Sequence, residues 1–177
     1  MREQKHDMRT KKRRRGTIRP ATIRPAVIAA VLGGAVLIGA GAPARAATAQ
    51  QEVGCLAQAI YFESRGEPEG GMLAVGHVVL NRSRDPGFPH GICGVVYQRS
   101  GGSCQFSFAC DGRSDRPRND ADWAQSMALA KAIYAGRTTD PTRGALWFHR
   151  TSVRSDLGPG IRRSTRIGHH VFFRRVT

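Results

Sequence analysis

The chain has 177 residues, with 28 Lys/Arg against 13 Asp/Glu and a formal charge of +15 at pH 7. That length suits one domain with a core of its own, and no second domain fits. The charge points first to nucleic acid, but residues 1–46 hold 11 of the basic and 2 of the acidic groups, leaving 17 basic and 11 acidic, a net +6, in the remainder. With no zinc-finger, helix-turn-helix or RNA-binding signature in that remainder, a nucleic-acid partner is excluded.

The N-terminus accounts for the excess. A basic stretch, "KKRRRGTIRPATIRP", precedes an uncharged apolar run from Ala26 to Ala40, and "APARAATAQ" then offers Ala44-x-Ala46. Basic region, apolar region and small-residue cleavage site, in that order, are the layout of a secretory signal peptide. Residues 1–46 are therefore assigned to export, with the periplasm or cell envelope as destination. An uncleaved membrane anchor is the alternative, and it is the only route to membrane association. Residues 47–54 read as a short polar linker, and 55–177 as the folded domain.

A helix is predicted from Glu52 to Ser64. At 100° per residue Val53, Leu56, Ala57, Ile60 and Ser64 share one face, and only Gln58 and Arg65 make a polar stripe. Such a helix is buried. Glu63 lies well away from the stripe and so points into apolar surroundings or a cleft. Gly66 suits the position after a helix end, and Pro68 the first turn of the next helix. That second helix, from about Glu69 to Asn81, is apolar on most faces, and Gly70, Gly71 and Gly76 permit close helix approach. "ICGVVYQ" fits a strand or a short helix, and "RSGGSCQFSFACDGRSDRPR" a long, partly extended loop. The third helix is "NDADWAQSMALAKAIYAG", capped by Asn119 or Asp120 and stopped by Gly136, with Trp123, Met127, Ala130 and Tyr134 on its apolar face. "GALWFHR" and "IGHHVFFRR" are strand-like and form an antiparallel pair, joined by the polar loop "TSVRSDLGPGIRRST". Helices first and a small C-terminal antiparallel sheet make the fold class α+β.

Cys55, Cys93, Cys104 and Cys110 all follow the leader. An even number in an exported domain predicts two disulfides, with three pairings open. A Cys104–Cys110 bridge requires the chain between them to bend back, because an extended strand would hold the sulfurs apart.

The chemistry centres on Glu63. A carboxyl group among apolar side chains is held protonated, which suits it to protonate a leaving-group oxygen. Glu67 is four residues on, but Gly66 and Pro68 break the helix between them, so it is expected to support the start of the second helix. His149, His169 and His170 fall on the C-terminal strands. Adjacent strand residues point to opposite faces, so no convergent metal site is expected, and no cofactor. Ser107 has no nucleophile frame around it. Tyr61, Trp147, Phe148, Phe172 and Phe173 could stack on sugar rings or pack the core.

These residues carry a recognisable pattern. "CLAQAIYFESRGEPEGGMLAVGHVVLNR" resembles the opening of the SleB-type cell wall hydrolases, the spore cortex-lytic family. The likeness continues through "FPHGICGVVYQ", "QFSFACDG", "DPTRGALWFHR" and "RIGHHVFFRR". Ser64 replaces a common Ala, and His77 a small residue. The resemblance implies a single lysozyme-like or lytic-transglycosylase-like domain acting on peptidoglycan glycan strands as a monomer, with Glu63 catalytic. It implies cleavage of the bond between N-acetylmuramic acid and N-acetylglucosamine by lytic transglycosylation, which needs one acid, or by hydrolysis. Candidate substrate contacts are Tyr61, Glu67, Gln105, Ser107, Trp147, His149 and His170. A non-enzymatic wall-binding module is the competing class.

Overall fold

A computed structural model of the protein describes residues 46–154 and 156–176. The expected leader, apart from Ala46, lies outside the described residues. None of the described helices is long and apolar enough to cross a membrane.

Helix α1 spans Ala49–Glu63. It starts three residues before the predicted Glu52, so most of the expected linker is helical. The reason is local: the Thr48 hydroxyl accepts from the Gln51 amide and the Gln51 side chain accepts from the Thr48 amide, a reciprocal capping box. Helix α2 runs Glu69–Arg84 behind Pro68, and ten of its residues are buried. The apolar "ICGVV" forms a short helix α3, Ile92–Val96. The predicted loop that follows contains a small hairpin, β1 (Arg99–Ser100) with β2 (Ser103–Cys104), and a 3-10 turn at Ser107–Cys110. Helix α4, Asp120–Tyr134, is capped by the Asn119 side chain. Its buried positions are Ser126, Ala130 and Ile133, whereas Tyr134, expected on the apolar face, is turned outward at 40% exposure.

Leu56, Ala57, Ala59 and Ile60 of α1 form the centre of the main core, with Val79 and Leu80 of α2, Val95 and Val96 of α3, and Ile133 of α4 around them. Gly76 makes that packing possible. A Cβ there would lie 2.5 Å from Ile133 Cδ1 and 3.0 Å from Ile60 Cδ1, so α1, α2 and α4 meet where a side chain is absent.

The C-terminal sheet has three strands, not the two expected. Strands β3 (Trp147–Arg150), β4 (Ile161–Ile167) and β5 (His170–Arg175) lie in the order β3-β5-β4, all antiparallel. The expected pairing of the first and last strands is present, with Phe148 opposite Phe172. What was expected as the end of a long polar loop is β4, an edge strand that turns into β5 through Gly168 and His169. The sheet packs on α2 through Phe172 against Ala74 and Val78.

The two disulfides are Cys55–Cys93, with Cα atoms 5.2 Å apart, and Cys104–Cys110, with Cα atoms 6.0 Å apart. The first ties α1 to α3. The second spans the hairpin and the 3-10 turn, which supplies the required bend.

Candidate active site

The break between α1 and α2 sets the site. Ser64 ends α1 with a hydroxyl that donates to the Ile60 carbonyl, and Gly66 follows at φ +74°. Glu63 is thus the last helical residue, at the carbonyl end of a helix, where a negative charge is disfavoured. It opens into a cleft of about 430 Å³. Phe62 and Glu63 come from α1, Ser107, Phe108 and Asp111 from the 3-10 turn and its exit, Phe148, His149 and Arg150 from β3, and His170 from β5. Phe62 and Phe108 stack at 4.8 Å and 23° to form an apolar wall.

Burial raises the Glu63 pKa, and the charges of Arg82 and Arg150 pull part of the way back. Among the described residues Glu63 has no hydrogen-bond or ion-pair partner within reach. Arg82 is itself buried. Its Nε donates to the Leu146 carbonyl at 2.6 Å, and its guanidinium lies over the rings of Phe88 and Phe106. Burial lowers its pKa to about 10 against the opposing pull of Glu63, so it remains a cation at neutral pH. Glu63 is therefore an acid whose protonated form burial favours and whose ionised form has positive charge nearby, an arrangement suited to giving up a proton and taking one back.

Glu67 departs from expectation. Its carboxylate is almost completely buried, but it does not cap α2. It accepts from the His169 amide at 3.0 Å and from His169 Nδ1 at 3.1 Å, and lies 3.4 Å from His170 Nδ1. The physical reason is the Gly168 turn: a Cβ there would be 1.9 Å from Glu67 Oε2, so glycine lets the carboxylate reach the hairpin. Glu67 thereby tethers the α1–α2 break to the β4–β5 turn and aligns His170, which burial keeps neutral, along the cleft wall.

The other sequence candidates divide. Ser107, His149 and His170 reach the cleft with Glu63. Gln105 is exposed on the β2 exit and Trp147 packs against Phe88 and Arg175, so neither lines it. The Tyr61 hydroxyl accepts from the Arg118 and Asn119 amides, holding the entry to α4. His77 is a buried core residue bonded to Thr138 Oγ1 at 2.9 Å. Sequence reasoning passed over Asp111, Phe108 and Arg150. Asp111 adjoins Cys110, and its place after an aromatic "QFSFAC" segment was the available signal. Among the described residues no three His, Cys, Asp or Glu side chains converge as a metal site would need.

The family model described as Cell Wall Hydrolase matches residues 66–173. The chain belongs to the cell wall hydrolase family. It is 32% identical to a spore cortex-lytic enzyme of Bacillus subtilis over 122 residues, covering 68% of this chain and 37% of that protein. A spore cortex-lytic enzyme of Bacillus cereus is 31% identical over 124 residues, covering 70% of this chain and 44% of that one. The chain thus spans well under half the length of these relatives. Among solved structures, the catalytic domain of the Bacillus cereus SleB protein superimposes with a TM-score of 0.56 at 26% identity, over 77% of this chain and 100% of that one. The catalytic domain of a germination-specific lytic transglycosylase, SleB, from Bacillus anthracis gives the same TM-score and identity, over 74% of this chain and 100% of that one. The fold is accordingly the lysozyme-like α+β fold of those catalytic domains. The family match begins three residues after Glu63, so the role of that residue rests on the geometry of the cleft.

Proposed function

We propose that this cell wall hydrolase breaks the bond between N-acetylmuramic acid and N-acetylglucosamine in peptidoglycan by lytic transglycosylation, with Glu63 as the single acid and base. The observation that carries the reading is an unpartnered carboxyl, its pKa raised by burial, lining a cleft of about 430 Å³ walled by aromatic rings. Protonated Glu63 donates to the glycosidic oxygen as the bond from muramic C1 breaks. Its carboxylate, favoured by Arg82 and Arg150, then takes the proton of the muramic C6 hydroxyl as that oxygen attacks C1. The product carries a 1,6-anhydro end, no water is consumed, and Glu63 is protonated again. Phe62, Phe108 and Phe148 offer apolar faces to sugar rings, and Ser107 and His170 offer polar contacts at the rim.

Asp111 favours a second reading. It is another carboxylate on the same cleft and could activate a water, giving hydrolysis with a reducing end. We assign 1–46 to export and the remainder to one catalytic domain working in the cell envelope. Two disulfides and no free cysteine suit that oxidising location.

The test is digestion of purified sacculi with the purified protein, and mass identification of the released muropeptides. Anhydro ends, lighter by one water than reducing ends, support transglycosylation. Reducing ends would select the muramidase reading, and no release of soluble material would leave only a binding module.

A further inference from the structure

Beside the cleft is a second recess of about 160 Å³. The two adjoin, because Phe62, Phe108 and Asp111 line both. The recess lies between the end of α1 and the segment from Asp111 to Arg118. Its character differs from that of the cleft. Arg65, Arg113, Arg116 and Arg118 line it against two carboxylates, Asp111 and Asp115. Among the described residues every ion pair lies elsewhere, at Glu67 with its two histidines and at Asp85 with Arg175, so none of these four guanidinium groups is matched by a carboxylate.

The recess is also held in shape. Tyr61 receives the amides of Arg118 and Asn119 on its hydroxyl, and Arg65 lies over its ring at 5.7 Å. The Cys104–Cys110 bridge anchors the other end of the segment. A volume this small is below that of a pocket for a whole ligand, and it suits a short branch from a chain lying in the main cleft. Unpaired guanidinium groups select carboxylates, which they can grip with two parallel hydrogen bonds.

Muramic acid carries such a branch: its lactyl group bears a peptide stem with free carboxylates. The geometry points to the arginine recess as the subsite for the stem carboxylates of the muramic unit at the scissile bond, making Arg65, Arg113, Arg116 and Arg118 specificity-determining residues. The inference rests on the proposed peptidoglycan-cleaving activity and adds to it which form of the polymer is preferred: strands with free-acid stems over strands whose stems are amidated.

The test uses sacculi before and after amidation of their stem carboxylates, both insoluble and differing only in charge. The full protein and the R113Q/R116Q/R118Q variant are compared on each by initial rate of muropeptide release. For the wild type, amidation should slow release about fivefold to tenfold, the scale of several partly exposed charge-assisted contacts. The variant should show a ratio near unity, and added salt should shrink the wild-type ratio toward the same value. Cleavage of both substrates at equal wild-type rates would overturn the subsite while leaving the proposed activity standing. A variant that melts like wild type yet keeps the full preference would overturn it too. Cleavage of neither substrate would remove the activity, and the subsite with it.

Discussion

Removing the Cys55–Cys93 bridge should destabilise the domain far more than removing Cys104–Cys110. The two differ chiefly in the chain they close, with sequence separations of 38 and 6. In the chain-entropy account, stabilisation grows with the logarithm of loop length, which gives about 3.9 kcal/mol for the longer loop and about 2.2 kcal/mol for the shorter. A small domain has only about 5–15 kcal/mol in total, so the first loss is a large fraction of its stability. The longer loop also encloses α2, so its closure restrains the two core helices and the break between them at once. The assay is urea unfolding of C55S/C93S and C104S/C110S, followed by circular dichroism. Because a bridge acts on the unfolded chain, its removal should also steepen the denaturant slope, more for the longer loop. Glu63 lies about 12 Å farther along α1 than Cys55, so the folded C55S/C93S protein should still cleave sacculi under mild conditions. Equal losses for the two pairs, or a greater loss for C104S/C110S, would refute the loop-entropy reasoning. Reaction of all four thiols in the denatured, unreduced wild type would refute the bridges themselves.

Glu63→Gln should lower muropeptide release by about 10²–10⁴-fold with the fold intact, the usual worth of general acid–base catalysis; wild-type rates in a folded variant would sink the assignment. Because burial raises the Glu63 pKa and the protonated form is the donor, wild-type activity should fall as pH rises through that value, and a profile that rises there would contradict it. Glu67→Gln keeps an acceptor but loses the charge facing His169 and His170, and should cost about 1–2 kcal/mol. Since the Glu67 carboxylate favours the imidazolium, the His170 pKa should fall in that variant, which an NMR titration reads directly. Gly168→Ala places a Cβ on Glu67 at φ +55° and should destabilise by about 2–4 kcal/mol in the same urea assay.

Much of this was legible in the sequence because it is local. The burial of α1 and the direction of Glu63 follow from helical periodicity, and Gly66-Glu67-Pro68 marks the break that leaves Glu63 at a helix end. The antiparallel partnership of "LWFHR" and "HVFFRR" follows from their strand-like pattern, whereas the register that sets His149 opposite Val171 came from the structure. Even the early start of α1 was present in the Thr48-to-Gln51 spacing, although the polar run around it read as a linker.

The rest was decided between segments distant in sequence. "IRRSTRI" has no apolar face of its own, and it is a strand only because β5 offers its free edge. Which cysteines pair depends on α3 lying against α1, a distance that spacing does not encode. Trp147 and Tyr61 were equally plausible as sugar platforms, and packing assigned one to Phe88 and the other to the amides before α4. Glu67 looked like a helix-start residue until the Gly168 turn brought the hairpin to it, across 102 residues of chain. The sequence by itself determined a buried acid at the end of a helix, because side-chain direction within a helix is set by the chain's own geometry. Only the tertiary structure decided what faces that acid, because the cleft walls come from the 3-10 turn and the C-terminal sheet, and their meeting depends on packing rather than on any local preference.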